Sequence, residues 1–216
     1  MTNINTSTYW NQRFKSGDWI EKGGVNQTKM FAESILPFIQ LPSNFSGTLL
    51  DFGCGLGDAI PIYKNKFPKS QLIGLDFSDF AIELCNQRYQ GLATFICGNY
   101  LDVPIVDVII ASNVLEHLSN DILIAAELKK RCKELYIVVP YQEVLSQNSE
   151  HINTYSKTSF QKLAPTSLKV ISSQGWSQFG KALYFDIYCK NIFRIIAGRK
   201  VIYRKKQILF LFKQNS

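Results

Sequence analysis

Apolar and polar positions along the chain fall into two regimes that meet near Thr48. Beyond it, short apolar runs of strand composition (Thr48–Phe52, Gln71–Leu75, Ala93–Cys97, Val106–Ala111 and Glu134–Val139) alternate with longer stretches of helical spacing. Those stretches predict helices over Asp58–Phe67, over Ser78–Tyr89 with Ser78 as N-cap, and over Asn120–Cys132. Pro140 closes the fifth run, since it has no N–H to extend a ladder. Further on, the pattern predicts a helix over Ser156–Leu163 and two more strands at Leu168–Gln174 and Ala182–Cys189. Strand and helix in alternation imply a doubly wound α/β fold, a mostly parallel sheet with helices on both faces. Ahead of it, residues up to Leu41 read as two helices with turns at Ser16-Gly17 and Gly23-Gly24.

The junction between the first strand and the first core helix carries the chemistry. It reads Asp51-Phe52-Gly53-Cys54-Gly55-Leu56-Gly57-Asp58. Glycines at alternate positions reach left-handed backbone and let a ligand lie against the main chain. Asp58 is placed to cap the helix that follows, whose first turn offers free N–H groups. A pyrophosphate loop has the spacing Gly-x-Gly-x-x-Gly. Here the third glycine comes one residue early, and Asp51 and Asp58 bring negative charge where a phosphate wants positive. The loop therefore suits a cationic or zwitterionic nucleoside. The second strand ends in Asp76, about 20 residues on, where a βαβ unit puts the carboxylate that takes ribose hydroxyls. Phe77 follows it, placed to pack on the base.

An acid before Gly-x-Gly-x-Gly, with a second acid closing the next strand, resembles the class I S-adenosylmethionine-dependent methyltransferases of the small-molecule or saccharide type. The resemblance spans roughly Tyr9 to Cys189. It implies a seven-stranded Rossmann-like sheet with its last strand antiparallel, an N-terminal helical lid, and S-adenosylmethionine as cofactor with S-adenosylhomocysteine as product. Asp51, Gly53, Gly55, Gly57, Asp76 and Phe77 would then line the cofactor site. Asn99 and Tyr100 follow the third strand, where the family usually carries an acid that reads the adenine amino group; the Asn99 oxygen can still accept that N–H. Asn113, after the fourth strand, falls near the methionine moiety. In the lid, Trp10 would cover the cofactor and Arg13 pair with its carboxylate; the competing reading is that Trp10, Phe14 and Trp19 only staple a helix onto the domain. His151, in a Glu-His-Ile-Asn loop after the fifth strand, is the leading candidate for a general base, with His117 the second. For both, the competing reading is a histidine that is structural or simply exposed.

Composition narrows the partners. The 216 residues are 46% hydrophobic and 19% charged, which is globular. The net charge of +7 is concentrated at the end, where Lys181–Ser216 holds nine Lys or Arg against one Asp. We divide the chain into a lid (1–41), a cofactor-binding core (42–190) and a basic, aromatic extension (191–216) that is no domain of its own. The extension is expected to contact a membrane surface or an anionic substrate, or else to pack on the sheet edge or form a homodimer. Five scattered cysteines without a Cys-x-x-Cys pair argue against a disulfide framework or zinc site and suit a reducing cytoplasm. No ligand cluster in the sequence implies a metal, and no secretory signal or membrane-spanning run is evident.

The expected activity is methyl transfer to a hydroxyl or amine of a small metabolite or a saccharide, at the cytoplasm or the inner membrane face. No Asn-Pro-Pro-Tyr type motif follows the fourth strand and there is no Pro-Cys pair, which disfavours nucleic-acid bases as acceptors. An RNA methyltransferase, a non-catalytic binding module of the same fold and a nicotinamide oxidoreductase remain as alternatives.

Overall fold

The computed structural model describes residues 4–145, 148–172, 180–199 and 206–214. The core elements are β1 (Thr48–Phe52), α4 (Ile60–Lys66), β2 (Gln71–Asp76), α5 (Asp79–Arg88), β3 (Thr94–Cys97), β4 (Val106–Ser112), α6 (Asp121–Lys130) and β5 (Cys132–Pro140). Ahead of them stand α1 (Ser7–Lys15), α2 (Asp18–Glu21) and α3 (Gly24–Ile35); β6 (Ser167–Ser172), α7 (Gly180–Ile196) and β7 (Lys206–Lys213) follow. One seven-stranded sheet runs in the order β3-β2-β1-β4-β5-β7-β6. Every pairing is parallel except those of β7, which is antiparallel to both β5 and β6. This is the expected Rossmann-like methyltransferase topology.

The strands are apolar at consecutive positions because both faces are covered. On one face Leu49, Val108, Ile110, Tyr136 and Val138 pack with Ile60 and Tyr63 of α4, Ile82 of α5 and Ile35 of α3. On the other, Leu50, Phe52, Ile109, Ala111, Leu135 and Ile137 pack with Ile124, Ala125 and Leu128 of α6. The register sets Asp51 level with Gly74 and Ile110, so the carboxyl ends of β1, β2 and β4 share one rim. The chain reverses direction across the sheet between β1 and β4, and that is where a ligand crevice opens in such folds.

Five expectations change. The segment Ser156–Leu163 is not a helix: Ser156 Oγ accepts from Thr158 N, Ser159 Oγ from Ser156 N, and only a short 3₁₀ turn forms at Gln161–Leu163. Side-chain oxygens compete with the helical ladder there, as Ser and Thr do. The segment Ala182–Cys189 is not a strand but part of the 17-residue α7, a length no glycine or proline interrupts and no ordinary strand reaches. The last strand is β7, inside the tail. Its Ile208–Phe212 are all buried at 3% exposure or less, between two strands, so the boundary at 190 dissolves and this stretch is core rather than a surface element. The basic run Lys200–Lys205 lies outside the described residues, as do Ser173 and Gln174 of the sixth predicted strand. Finally, the lid is three helices, not two, with the short α2 held between Gly17 and Gly23, both left-handed.

Candidate active site

A cavity of about 1000 Å³ opens at the carboxyl rim of the sheet and is roofed by α1 and α3. Its floor is the glycine loop. Gly53 has φ of 74° and faces Val114, where a Cβ would lie 2.3 Å from a methyl carbon; Gly55 lines the cavity beneath Phe14 of α1. Two backbone bonds, Gly53 N–H and Cys54 N–H to the Leu75 carbonyl (2.7 and 3.0 Å), tie the loop to β2. Asp76 completes the tie: its Oδ2 accepts from Gly55 N at 2.9 Å and its Oδ1 from Ser78 N at 2.9 Å. The carboxylate's four lone-pair sites outnumber its backbone donors, which leaves room for a ligand hydroxyl. Burial holds the Asp76 carboxyl above its ordinary range, while backbone N–H groups pull it back down.

Asp51 and Gly57 do not line this cavity. Asp51 lies within the sheet, 5% exposed, and burial followed by the charge of Asp76 pushes its carboxyl up to about 7. Gly57 faces α5, where a Cβ would meet Cys85 and Tyr89 at 2.9 Å. Asp58 caps nothing: α4 starts at Ile60 without a side-chain cap, and Asp58 accepts from the Tyr89 hydroxyl at 3.2 Å. Phe77, Asn99 and Tyr100 line one end of the cavity. The Asn99 side-chain oxygen already accepts from Leu101 N at 2.8 Å, which leaves it one lone pair for a ligand N–H.

Trp10 packs against Phe14 and Trp19 and roofs the cavity together with them. Arg13 departs from its expected role. Its guanidinium is paired with Glu150 and stands within 3.6 Å of Asp18, so its charge is answered inside the protein, although its Nε has no partner. Tyr9 donates to the same Glu150 carboxylate at 2.5 Å. The lid is thus locked to the loop after β5.

That loop is the other half of the site. Asn153 donates to the carbonyls of Leu115 (3.0 Å) and Leu118 (2.7 Å), and the Glu116 carbonyl accepts from Ile152 N (2.8 Å) and Asn153 N (3.2 Å). These bonds pin the loop onto the turn after β4 and bring His117 and His151 edge to face, ring centres 4.8 Å apart. His117 donates from Nδ1 to the Glu150 carbonyl at 3.1 Å; burial, then His151, lowers its pKa to about 4, so it is neutral. His151 is hydrogen-bonded through Nδ1 to the Glu143 carboxylate. Glu116 is fully buried with both carboxylate oxygens unpartnered, and burial above all pushes its pKa up to about 8. Asn113, left-handed at φ 57°, accepts from Gln207 Nε2 at 2.7 Å. The sequence reading missed Gln207, which enters from β7, and Glu143, which carried no signal before the fold placed it beside His151.

Residues 50–136 match the family described as a methyltransferase domain. No curated protein matches the chain. Among solved structures, the plantazolicin methyltransferase BpumL in complex with SAH is 18% identical with a TM-score of 0.61, over 98% of this chain and 96% of that one. A putative sarcosine dimethylglycine methyltransferase from Galdieria sulphuraria is 17% identical with a TM-score of 0.60, over 87% and 85%. A third, in a complex between the Haloferax volcanii Trm112 methyltransferase activator and the putative methyltransferase, is 17% identical with a TM-score of 0.63, over 76% and 79%. At such identities the structural likeness establishes the fold.

Proposed function

We propose that this class I S-adenosylmethionine-dependent methyltransferase moves the sulfonium methyl to a hydroxyl or amine of a small metabolite or saccharide. The observation that carries the reading is a single cavity with two unlike ends. The cofactor end offers bare main chain at Gly53 and Gly55 beside the Asp76 carboxylate; the other end offers Glu116, His117 and His151.

The reaction is an in-line displacement. The acceptor's lone pair forms the new bond to the methyl carbon while the carbon–sulfur bond breaks and its electrons pass to sulfur, leaving S-adenosylhomocysteine. The sulfonium is reactive by itself, so the protein's part is alignment and exclusion of water. The locked roof of Trp10, Phe14 and Trp19 serves that part. A hydroxyl acceptor must also lose its proton, and the Glu116–His117–His151 cluster is the group placed to promote that loss. A neutral amine needs less help.

Several observations favour a small acceptor. The cavity is roofed, and the apolar half of the basic tail is core, so that half gives neither a membrane nor an RNA surface. RNA methylation stays as the second reading because of the charge excess at the chain's end. We place the protein in the cytoplasm, in keeping with its free cysteines. No helix among the described residues is long and apolar enough to cross a membrane. The test is calorimetric titration with S-adenosylmethionine, followed by transfer of a labelled methyl across a panel of hydroxyl and amine acceptors. Absence of binding at millimolar cofactor would end the proposal, and tight binding of a nicotinamide cofactor instead would replace it.

A further inference from the structure

We propose that Glu116, His117 and His151 hold a divalent transition-metal cation at the acceptor end of the cavity. This deepens the methyltransferase reading and rests on it for what the ion does.

Three independent features converge. First, the fold brings one donor atom from each side chain within 4.8 Å of the others, from residues 35 positions apart in the chain at the extremes. Donors around a tetrahedral ion with bonds of about 2.0–2.1 Å stand roughly 3.3 Å apart, so closing onto an ion needs only small side-chain shifts. Second, both imidazoles have the supports that metal-ligating histidines have. The partner of His117 Nδ1 is a carbonyl, which only accepts, so Nδ1 carries the proton and Nε2 keeps its lone pair. The carboxylate of Glu143 does the same for His151. A carboxylate or backbone carbonyl on the far nitrogen fixes the ligating tautomer and raises its basicity. Third, Glu116 is buried at 0% exposure with neither oxygen bonded to anything. An isolated buried carboxylate is costly unless a cation answers it. A His151–Glu143 general-base pair would account for the second feature and leave the third unexplained.

The donor set selects the ion. Two imidazoles and one carboxylate suit Zn²⁺, Mn²⁺, Fe²⁺ or Co²⁺, whereas Mg²⁺ and Ca²⁺ prefer all-oxygen shells. Three protein ligands leave coordination positions open to the acceptor. An acceptor hydroxyl bound there releases its proton to water, and the resulting oxyanion attacks the sulfonium methyl. The substrate class is thereby narrowed to hydroxyl acceptors, O-methylation rather than N-methylation.

The experiment uses the full chain stripped with a chelator. It is titrated calorimetrically with Mn²⁺ and Zn²⁺ and, separately, with S-adenosylhomocysteine; Co²⁺ is added to the wild type and its visible absorption recorded. One equivalent of ion per chain is expected, with a Co²⁺ spectrum more intense than that of the octahedral aqua ion. Glu116→Gln and His151→Ala should each weaken ion binding at least 100-fold, and Glu143→Gln 10–100-fold as a supporting residue, while S-adenosylhomocysteine affinity reports that each variant is folded. The wild-type spectrum stands even where a variant does not fold. No bound ion at millimolar concentration in protein that binds S-adenosylhomocysteine would overturn the ion and leave the methyltransferase reading intact. Undiminished ion binding in both ligand variants would overturn it as well. An ion bound as expected by protein with no affinity for either form of the cofactor would support the site and sink the methyltransferase reading.

Discussion

Replacing Asp51 by Asn tests the electrostatics under the glycine loop. In the folded chain this carboxyl keeps its proton up to about pH 7, chiefly because it is buried and secondly because Asp76 is nearby. In the unfolded chain it ionises near 3.9. Below pH 4 both states hold the proton and the group is neutral in the balance. As pH rises, the unfolded chain releases its proton first, so the folded state loses stability until it too ionises. The slope approaches about 1.4 kcal/mol per pH unit, and the accumulated loss between pH 5 and pH 8 is about 2.5 kcal/mol. Asn cannot titrate and removes that loss. Glu116, also pushed up by burial, adds a slope of the same sign to both proteins and cancels in the comparison. Urea unfolding of both proteins without cofactor, at half-unit steps from pH 5 to pH 8, should show the variant gaining on the wild type by that amount. If the two stability curves run parallel, Asp51 is ionised in the fold and the reasoning fails.

Three further outcomes follow from named contacts. Asp76→Ala removes an acceptor that holds both Gly55 N–H and Ser78 N–H, and calorimetry should show cofactor binding weaker by about 1–3 kcal/mol; unchanged affinity would remove Asp76 from the site. His151→Ala should lower turnover about 10²–10⁴-fold with little change in S-adenosylhomocysteine affinity, measured by labelled-methyl transfer and calorimetry; equal turnover would exclude the residue from the chemistry. A chain ending at Arg199 loses the strand that joins β5 to β6 and bares the apolar faces it covered, so circular dichroism should show no cooperative melt, and a folded product would refute the placement of β7.

Much of the fold was legible because the first five strands are short, mostly apolar runs bounded by polar or glycine residues. Thr48–Phe52 came out to the residue and Gln71–Leu75 within one, as buried parallel strands should. The C-terminal part was not legible for a physical reason. Ala182–Cys189 and Ile208–Phe212 are both apolar runs, and periodicity alone does not tell a helix segment from a buried strand. Only their partners decide: β7 is a strand because β5 and β6 leave a gap for it. The half of the cavity at Gly53, Gly55 and Asp76 was legible because its residues cluster at strand ends close in sequence. The half at His117 and His151 was not. His117 and His151 meet through backbone bonds that Asn153 and Glu116 make, and no spacing in the sequence encodes that approach.

The charge around the cavity explains why such a fold tolerates what it buries. Asp51, Asp76 and Glu116 are all carboxyls in low-dielectric surroundings, each held above its ordinary range by desolvation. At Glu116, whose oxygens meet no donor, an apolar residue of similar volume would give a more stable empty fold. A sulfonium at one end and a metal ion at the other would relieve these costs, so part of each ligand's binding free energy is strain already present before it arrives. The relief is asymmetric across the reaction, because methyl transfer turns the sulfonium into a neutral thioether. On the proposed reading the cofactor end would favour the charged form over its product and hold it less once the methyl has gone, while the cluster at Glu116 would keep its ion for the next acceptor.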